Sequence, residues 1–230
     1  MRVAVFGARE GSLGEAVANL LRFPGDNHEV TTFGAHGEDV VFIWPDVRTL
    51  ATQRLIAEQF DAIVCTIGVN QPTTLGHSNF DEAMADSYGI NVLAPMRILE
   101  VALGFQQNLQ AFVAVSSNSA NIARRGSMAY CASKAALSMA IRCAARDLAD
   151  GSGYGVAAEP PLVYGYEFGL LAGTPMTKGT EKQFGPSQTR IPGHPQGLSA
   201  DRAALAIVRN LTHPWEGLNG ALLRLDGGEQ

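Results

Sequence analysis

Tyr130 and Lys134 stand four residues apart in the stretch Tyr130-Cys-Ala-Ser-Lys134. On a helix, residues at that spacing leave the same face and converge on one point. A phenol with a pKa near ~10 is a poor base at neutral pH, and a neighbouring ammonium favours its ionised form. The pair is suited to moving a proton to and from an alcohol or ketone oxygen. Ser116-Ser117 ends an apolar run just upstream. A hydroxyl there can donate to a carbonyl oxygen as it gains charge, although Ser-Ser after a strand also serves as a turn or cap. Asn91 precedes Pro95 by four residues. Proline lacks an N–H, so the Asn91 carbonyl loses its helical partner and can hold a water leading to Lys134; the alternative is a kink serving packing alone.

A second constellation lies near the start of the chain. Gly7-Ala-Arg-Glu-Gly11-Ser-Leu-Gly14 separates a short apolar run from a helical pattern. Glycines let backbone approach a phosphate, and a helix N-terminus presents free N–H groups and a positive dipole end. The spacing is not G-x-G-x-x-G, and a glycine turn here also has a purely steric reading. Asp46-Val47 follows a third apolar run. Asp46 could accept from an adenine amino group or cap the next helix.

These residues need elements to position them. Strand-like runs occur at Arg2–Phe6, Val30–Phe33, Val40–Trp44, Ala62–Ile67, Ala111–Ser116, Val156–Ala158 and Ala221–Leu225. Between them, helical patterns cover Gly14–Arg22, Arg48–Phe60, Ser78–Gly104, Ser127–Ala149 and Asp201–Leu211. Strands that are apolar throughout, joined by helix-length crossovers, predict a parallel, doubly wound α/β sheet with helices on both faces. Ligands of such sheets sit beyond the carboxyl ends of the strands. Residues 162–198 break the alternation with many Gly and Pro residues, and they read as a loop covering the substrate. Tyr164, Tyr166, Phe168, Leu170, Leu171, Met176 and Phe184 would give it an apolar lining, or simply pack it down. Lys178, Lys182 and Arg190 are its candidate contacts to an acidic substrate.

Composition sets outer limits. A chain of 230 residues suits one domain, spanning 1–230, and 46% hydrophobic against 17% charged residues reads as globular. The net charge of −5 argues against nucleic acid and anionic membranes as partners. No run reads as a membrane span or signal segment. The three cysteines, Cys65, Cys131 and Cys143, are widely spaced, which suggests a reduced, cytoplasmic setting. The five histidines form no metal-ligand spacing.

Taken together, these motifs resemble the short-chain dehydrogenase/reductases over nearly the whole chain. The glycine turn Gly7–Gly14, Asp46-Val47, Asn91, Ser117 thirteen residues before Tyr130, Tyr130-x-x-x-Lys134 and the C-terminal Gly220-x-x-x-x-Leu-Asp226-Gly-Gly appear in that family's order. The resemblance implies a Rossmann-like sheet of about seven strands and a hydride exchanged between a nicotinamide cofactor and a small-molecule alcohol, ketone or aldehyde. It makes Tyr130 the acid/base, Lys134 the group that lowers its pKa and holds the nicotinamide ribose, Ser117 the group that orients the substrate oxygen, and Asn91 part of a proton relay. It places the cofactor against Gly7, Arg9, Gly11, Ser12, Leu13, Gly14, Asp46, Val47, Thr66, Ile67, Gly68, Tyr130, Lys134, Pro161 and Val163. The end of the second strand, Thr32-Phe-Gly34-Ala35, carries no acidic residue for an adenine ribose. With Arg9 available for a phosphate, this favours NADP(H) over NAD(H). A homodimer or homotetramer through Ser78–Gly104 and Ser127–Ala149 is also implied.

Three departures mark a divergent member. The last glycine of the first turn comes one residue late, which predicts an altered phosphate loop. Cys65-Thr-Ile-Gly68 replaces Asn-Asn-Ala-Gly, which predicts lost pins across the central sheet. Pro160-Pro161-Leu162 stands for Pro-Gly after the sixth strand. Other readings of the same fold are a nucleotide-binding regulator without turnover and an epimerase or dehydratase, though the latter are usually longer chains. The family's enoyl reductases place more residues between Tyr and Lys than Tyr130 and Lys134 have.

Overall fold

The apolar runs pair side by side, all in the same direction. In the computed structural model, which describes residues 1–34, 40–41, 50–151, 159–184 and 197–226, the strands are β1 (Arg2–Phe6), β2 (Glu29–Gly34), β3 (Val40–Val41), β4 (Ala62–Cys65), β5 (Ala111–Ser117), β6 (Leu162–Phe168) and β9 (Leu222–Leu225). They form one parallel sheet in the order β3-β2-β1-β4-β5-β6-β9, with β3 a two-residue pairing at the edge. The chain reverses its order between β1 and β4, as a doubly wound sheet requires.

Side chains alternate between two apolar layers. Phe6, Ile63, Phe112 and Val163 meet α2 (Leu50–Ala57), α4 (Ala94–Phe105) and α5 (Met128–Ala149) on one face. Val5, Val64, Val113 and Tyr164 meet α1 (Leu13–Leu21) and α7 (Ala200–Thr212) on the other. Burial of each such side chain contributes about 1.5–3 kcal/mol, so the strands need no polar edge pattern. Ser12 caps α1 by accepting from the Glu15 N–H, and Ser199 caps α7 by accepting from the Arg202 N–H.

The Ser78–Gly104 pattern becomes α3 (Phe80–Tyr88), a π-helical turn (Gly89–Leu93) and α4, without a break. The wider turn lies just before Pro95, where the α-helical ladder lacks a donor. The joined helix, Phe80–Phe105, is long and apolar enough by length and composition to cross a membrane, contrary to expectation. Its Ala94, Ile98, Leu99 and Ala102 are buried in the protein's own core.

The segment 162–198 is not a single loop. Its first seven residues are the inner strand β6, with Tyr164 and Tyr166 buried in the core rather than held over a substrate and Phe168 buried at the strand's end. The Tyr166 hydroxyl donates to the Ala206 carbonyl and accepts from Asn210. Beyond it come β7 (Leu171–Ala172), α6 (Pro175–Phe184) and β8 (Leu198–Ser199), with β7 and β8 forming a small parallel pair. The strand expected at Val156–Ala158 lies outside the described residues, as do Asp46, Val47 and Arg190. The side chains of Lys182 and Phe184 are likewise not described.

Gly165 lets α5 pack closely on the sheet. A Cβ there would stand 2.8 Å from both the Ala114 carbonyl oxygen and the Ile141 side chain. Gly165→Ala should therefore destabilise the protein by about 1–3 kcal/mol, read as a lower thermal midpoint. An unchanged midpoint would show that α5 is not packed this closely.

Candidate active site

The carboxyl ends of β1, β4, β5 and β6 open into a cleft of about 770 Å³. Gly7, Arg9, Ser12 and Leu13 line one end of it. Thr66, Ile67 and Gly68 form its floor; Ser117, Tyr130 and Lys134 stand at the other end. Phe168 to Leu171 and Thr174 to Thr177 supply the facing wall, so the part of 162–198 that borders the cleft begins where β6 ends.

The glycine turn is tight. Gly7 and Gly11 have φ of +88° and +71°. A Cβ on Gly14 would sit 2.6 Å from both the Gly7 carbonyl oxygen and Thr66 Oγ1, so the first turn of α1 presses directly on β1 and β4. Thr66 donates to the Phe6 carbonyl at 2.9 Å and lies 3.3 Å from that of Gly7. The pin expected to be missing from Cys65-Thr-Ile-Gly68 is thus supplied by the threonine. The inserted residue has its own consequence. Ser12 bonds the Gly7 carbonyl and caps Glu15, while the Glu15 carboxylate accepts from the Gly11 N–H at 2.6 Å. One amide of the glycine turn is therefore already occupied by a carboxylate.

At the far end, Lys134 is buried and donates from Nζ to the Val115 carbonyl at 2.8 Å. Gly68 leaves it room: a Cβ there would lie 3.3 Å from Nζ. Burial lowers the Lys134 pKa to about 8, an effect that nearby Cys65 partly opposes. The same burial pushes the Cys65 thiol up to about 12. Burial also raises Tyr130 above the ordinary phenol value, against the Ser117 hydroxyl, which hydrogen-bonds it, and the charge of Arg124. Lys134 Nζ stands 5.9 Å from the Tyr130 ring centroid and is tethered to a strand carbonyl.

Ser117 accepts from the Ser119 N–H at 3.1 Å, which fixes its hydroxyl at the end of β5. Ser116 instead bonds the Lys134 carbonyl and Ser138. Asn91 is fully buried in the π-helical turn, with Oδ1 accepting from the Val69 N–H and Nδ2 donating to the Val69 carbonyl and to Ser133. Its side chain therefore ties the loop after β4 to α5.

Pro161 and Val163 are not brought to this cleft. Val163 pairs with Phe112 near the start of β6, five residues before Phe168, or roughly 16 Å along a strand. The sixth strand lies later in the chain than Val156–Ala158, so the residues that follow it are Gly169 and Leu170. Sequence reasoning also missed Asn118, Ser119, Arg124 and Arg125, which line the cleft beside Ser117. Their polar run after β5 was the available signal.

The architecture matches proteins of known structure along almost the whole chain. A short chain dehydrogenase family protein of Francisella tularensis superposes with a TM-score of 0.75 at 20% identity, covering 99% of this chain and 97% of its own. The aldohexose dehydrogenase of Thermoplasma acidophilum gives 0.77 at 20% identity, covering 99% and 92%. The 3-alpha-hydroxysteroid dehydrogenase of a Pseudomonas species, solved with NADH, gives 0.74 at 21%, covering 99% and 96%. This is the short-chain dehydrogenase/reductase fold. The family model described as Enoyl-(Acyl carrier protein) reductase matches residues 47–156, which contain Asn91, Ser117, Tyr130 and Lys134. No curated protein matches the sequence. The chain thus resembles the short-chain dehydrogenase/reductases at low identity.

The buried lysine of this short-chain dehydrogenase fold has a measurable signature. A lysine that ionises near 8 when folded and near 10.5 when unfolded binds fewer protons in the native state between those values, so stability rises with pH there. The stability of the wild type relative to Lys134→Met should increase between pH 8 and 10.5, measured by denaturant unfolding of the ligand-free protein. A flat difference would mean that Lys134 is solvated.

Proposed function

We propose that the chain is an NAD(P)(H)-dependent oxidoreductase interconverting a ketone or aldehyde and an alcohol on a small molecule. The observation carrying this reading is the meeting of Ser117, Tyr130 and Lys134 in a cleft whose described lining holds four cations and no carboxylate. Within a chain of net charge −5, Arg9 at the glycine turn and Lys134 at the far end suit the cleft to an anionic dinucleotide.

The residues present fit that cofactor. Gly7, Ser12, Leu13 and Gly14 allow close approach at the glycine turn, and the N–H groups of Leu13 and Gly14 have no acceptor among the described residues. Arg9 and Gly34 border the adenosine side and favour NADP(H). Thr66 to Gly68 form the floor, and Lys134 would hold the ribose hydroxyls. The bound nicotinamide supplies or accepts the hydride. Ser117 holds the substrate oxygen, and Tyr130 donates a proton to it during reduction or removes one during oxidation. Asn91, fixed by Val69 and Ser133, completes a relay toward Lys134. The raised pKa of Tyr130 keeps its phenol protonated at neutral pH, which suits reduction; oxidation needs the phenolate and should speed up as pH rises.

A second reading, reduction of an enoyl thioester, is favoured by the description of the matched family model. The four-residue Tyr130–Lys134 spacing counts against it. Exposed Leu93, Phe105, Met128 and Met139 on or beside α4 and α5 are the positions through which a second copy would pack.

Fluorescence titration with NADPH and NADH should show tight binding of at least one, with NADPH preferred. Tyr130→Phe should retain that binding and lose about 10²- to 10⁴-fold in carbonyl reduction. Binding of neither cofactor would remove the oxidoreductase reading, whereas a Tyr130→Phe variant as active as wild type on crotonyl thioester would favour the enoyl one.

A further inference from the structure

Two of the four cleft cations are not used by the mechanism above. Arg124 and Arg125 lie on the segment between β5 and α5, beside Ser117 and Tyr130 and away from the glycine turn. Arg125 is exposed, but Arg124 is half-buried and fixed. Its Nε donates to Ser119 Oγ at 2.8 Å and its Nη2 to Asn118 Oδ1 at 3.0 Å. The Asn118 amide is oriented in turn by donating from Nδ2 to Asp226 at 3.1 Å.

This differs from a structural arginine. A guanidinium that only braces a fold is normally neutralised by a carboxylate, because burying a charge without a counter-charge is unfavourable. Asp226, behind Asn118, is engaged by Asn118 and Arg224. Among the described residues no carboxylate pairs with Arg124. Neutral groups hold two of its five N–H donors, leaving three in a fixed fork. Its charge also reaches Tyr130.

We infer that Arg124 docks an anionic group, a carboxylate or phosphate, carried by the substrate a few carbons from its reacting oxygen. Arg125, at the rim, adds attraction without a fixed contact. The inference rests on the proposed oxidoreductase reading and narrows its substrates to oxo and hydroxy compounds with an acidic head.

The test uses two substrate pairs of matched skeleton: acetoacetate against methyl acetoacetate, and dihydroxyacetone phosphate against dihydroxyacetone. Calorimetric binding is measured with and without saturating NADP⁺, and turnover with NADPH and NADH. Wild type should favour the charged member of at least one pair by roughly 10- to 100-fold, and which pair responds separates carboxylate from phosphate. Arg124→Gln should erase that preference while leaving NADPH affinity unchanged, and Arg124→Lys should restore part of it. Should Arg124→Gln fail to fold, the wild-type preference must still shrink as salt is raised. Equal or preferred binding of the neutral members, or a preference that survives Arg124→Gln, overturns the inference. Loss of NAD(P)H binding in the wild type overturns the oxidoreductase reading instead, and binding of the anions to cofactor-free protein then decides the inference alone.

Discussion

The seating of α5 on β5 and β6 determines where Tyr130 and Lys134 stand relative to Ser117. Gly165 lets the helix approach until its Ile141 reaches the strand backbone. Two hydrogen bonds then lock its position on β5, from Ser116 to the Lys134 carbonyl and from Lys134 Nζ to the Val115 carbonyl. Ser138 continues the line to the buried Glu167 on β6, whose other oxygen accepts from Asn121. A buried polar chain of this kind stabilises only when every member is partnered, and here each is. The same bonds that hold the helix therefore fix Tyr130 relative to Ser117.

The opposite end of the cleft obeys a different constraint, the exclusion of side-chain volume. Gly14 presses on the Gly7 carbonyl and on Thr66, so the start of α1, the end of β1 and the end of β4 form one contact. Thr66 succeeds there because its hydroxyl is short and can reach the Phe6 carbonyl. The extra residue in the turn lets Glu15 fold back on the Gly11 amide. That leaves this end of the cleft less electropositive than a bare helix terminus.

Much of this was legible in the sequence because burial on both faces writes itself as uninterrupted apolar text. β1, β4 and β5 follow that rule, and α5 announces itself by length. β6 does not. It follows Pro160-Pro161 and contains Gly165 and Glu167, residues that usually mark a loop. Their places make sense only through distant partners, α5 for the glycine and Ser138 with Asn121 for the carboxylate. Missing β6 moved the expected cofactor wall to Pro161 and Val163, at the wrong end of the sheet. Asn118 and Arg124 left only a polar run as a signal, because the amide that orients the arginine is set by Asp226, 108 residues away.

The electrostatics of the cleft connect its two ends. Lys134 ionises near 8 because it is buried with only a carbonyl for company, and Tyr130 ionises high because it too is buried. Each group resists its charged form when alone. With a pKa near 8, Lys134 is still mostly an ammonium at neutral pH, and a ligand with negative charge beside it would hold it in that form. The Ser117 hydroxyl and the charge of Arg124 favour the phenolate of Tyr130, but burial outweighs them. In the empty protein burial prevails, and the phenol keeps its proton.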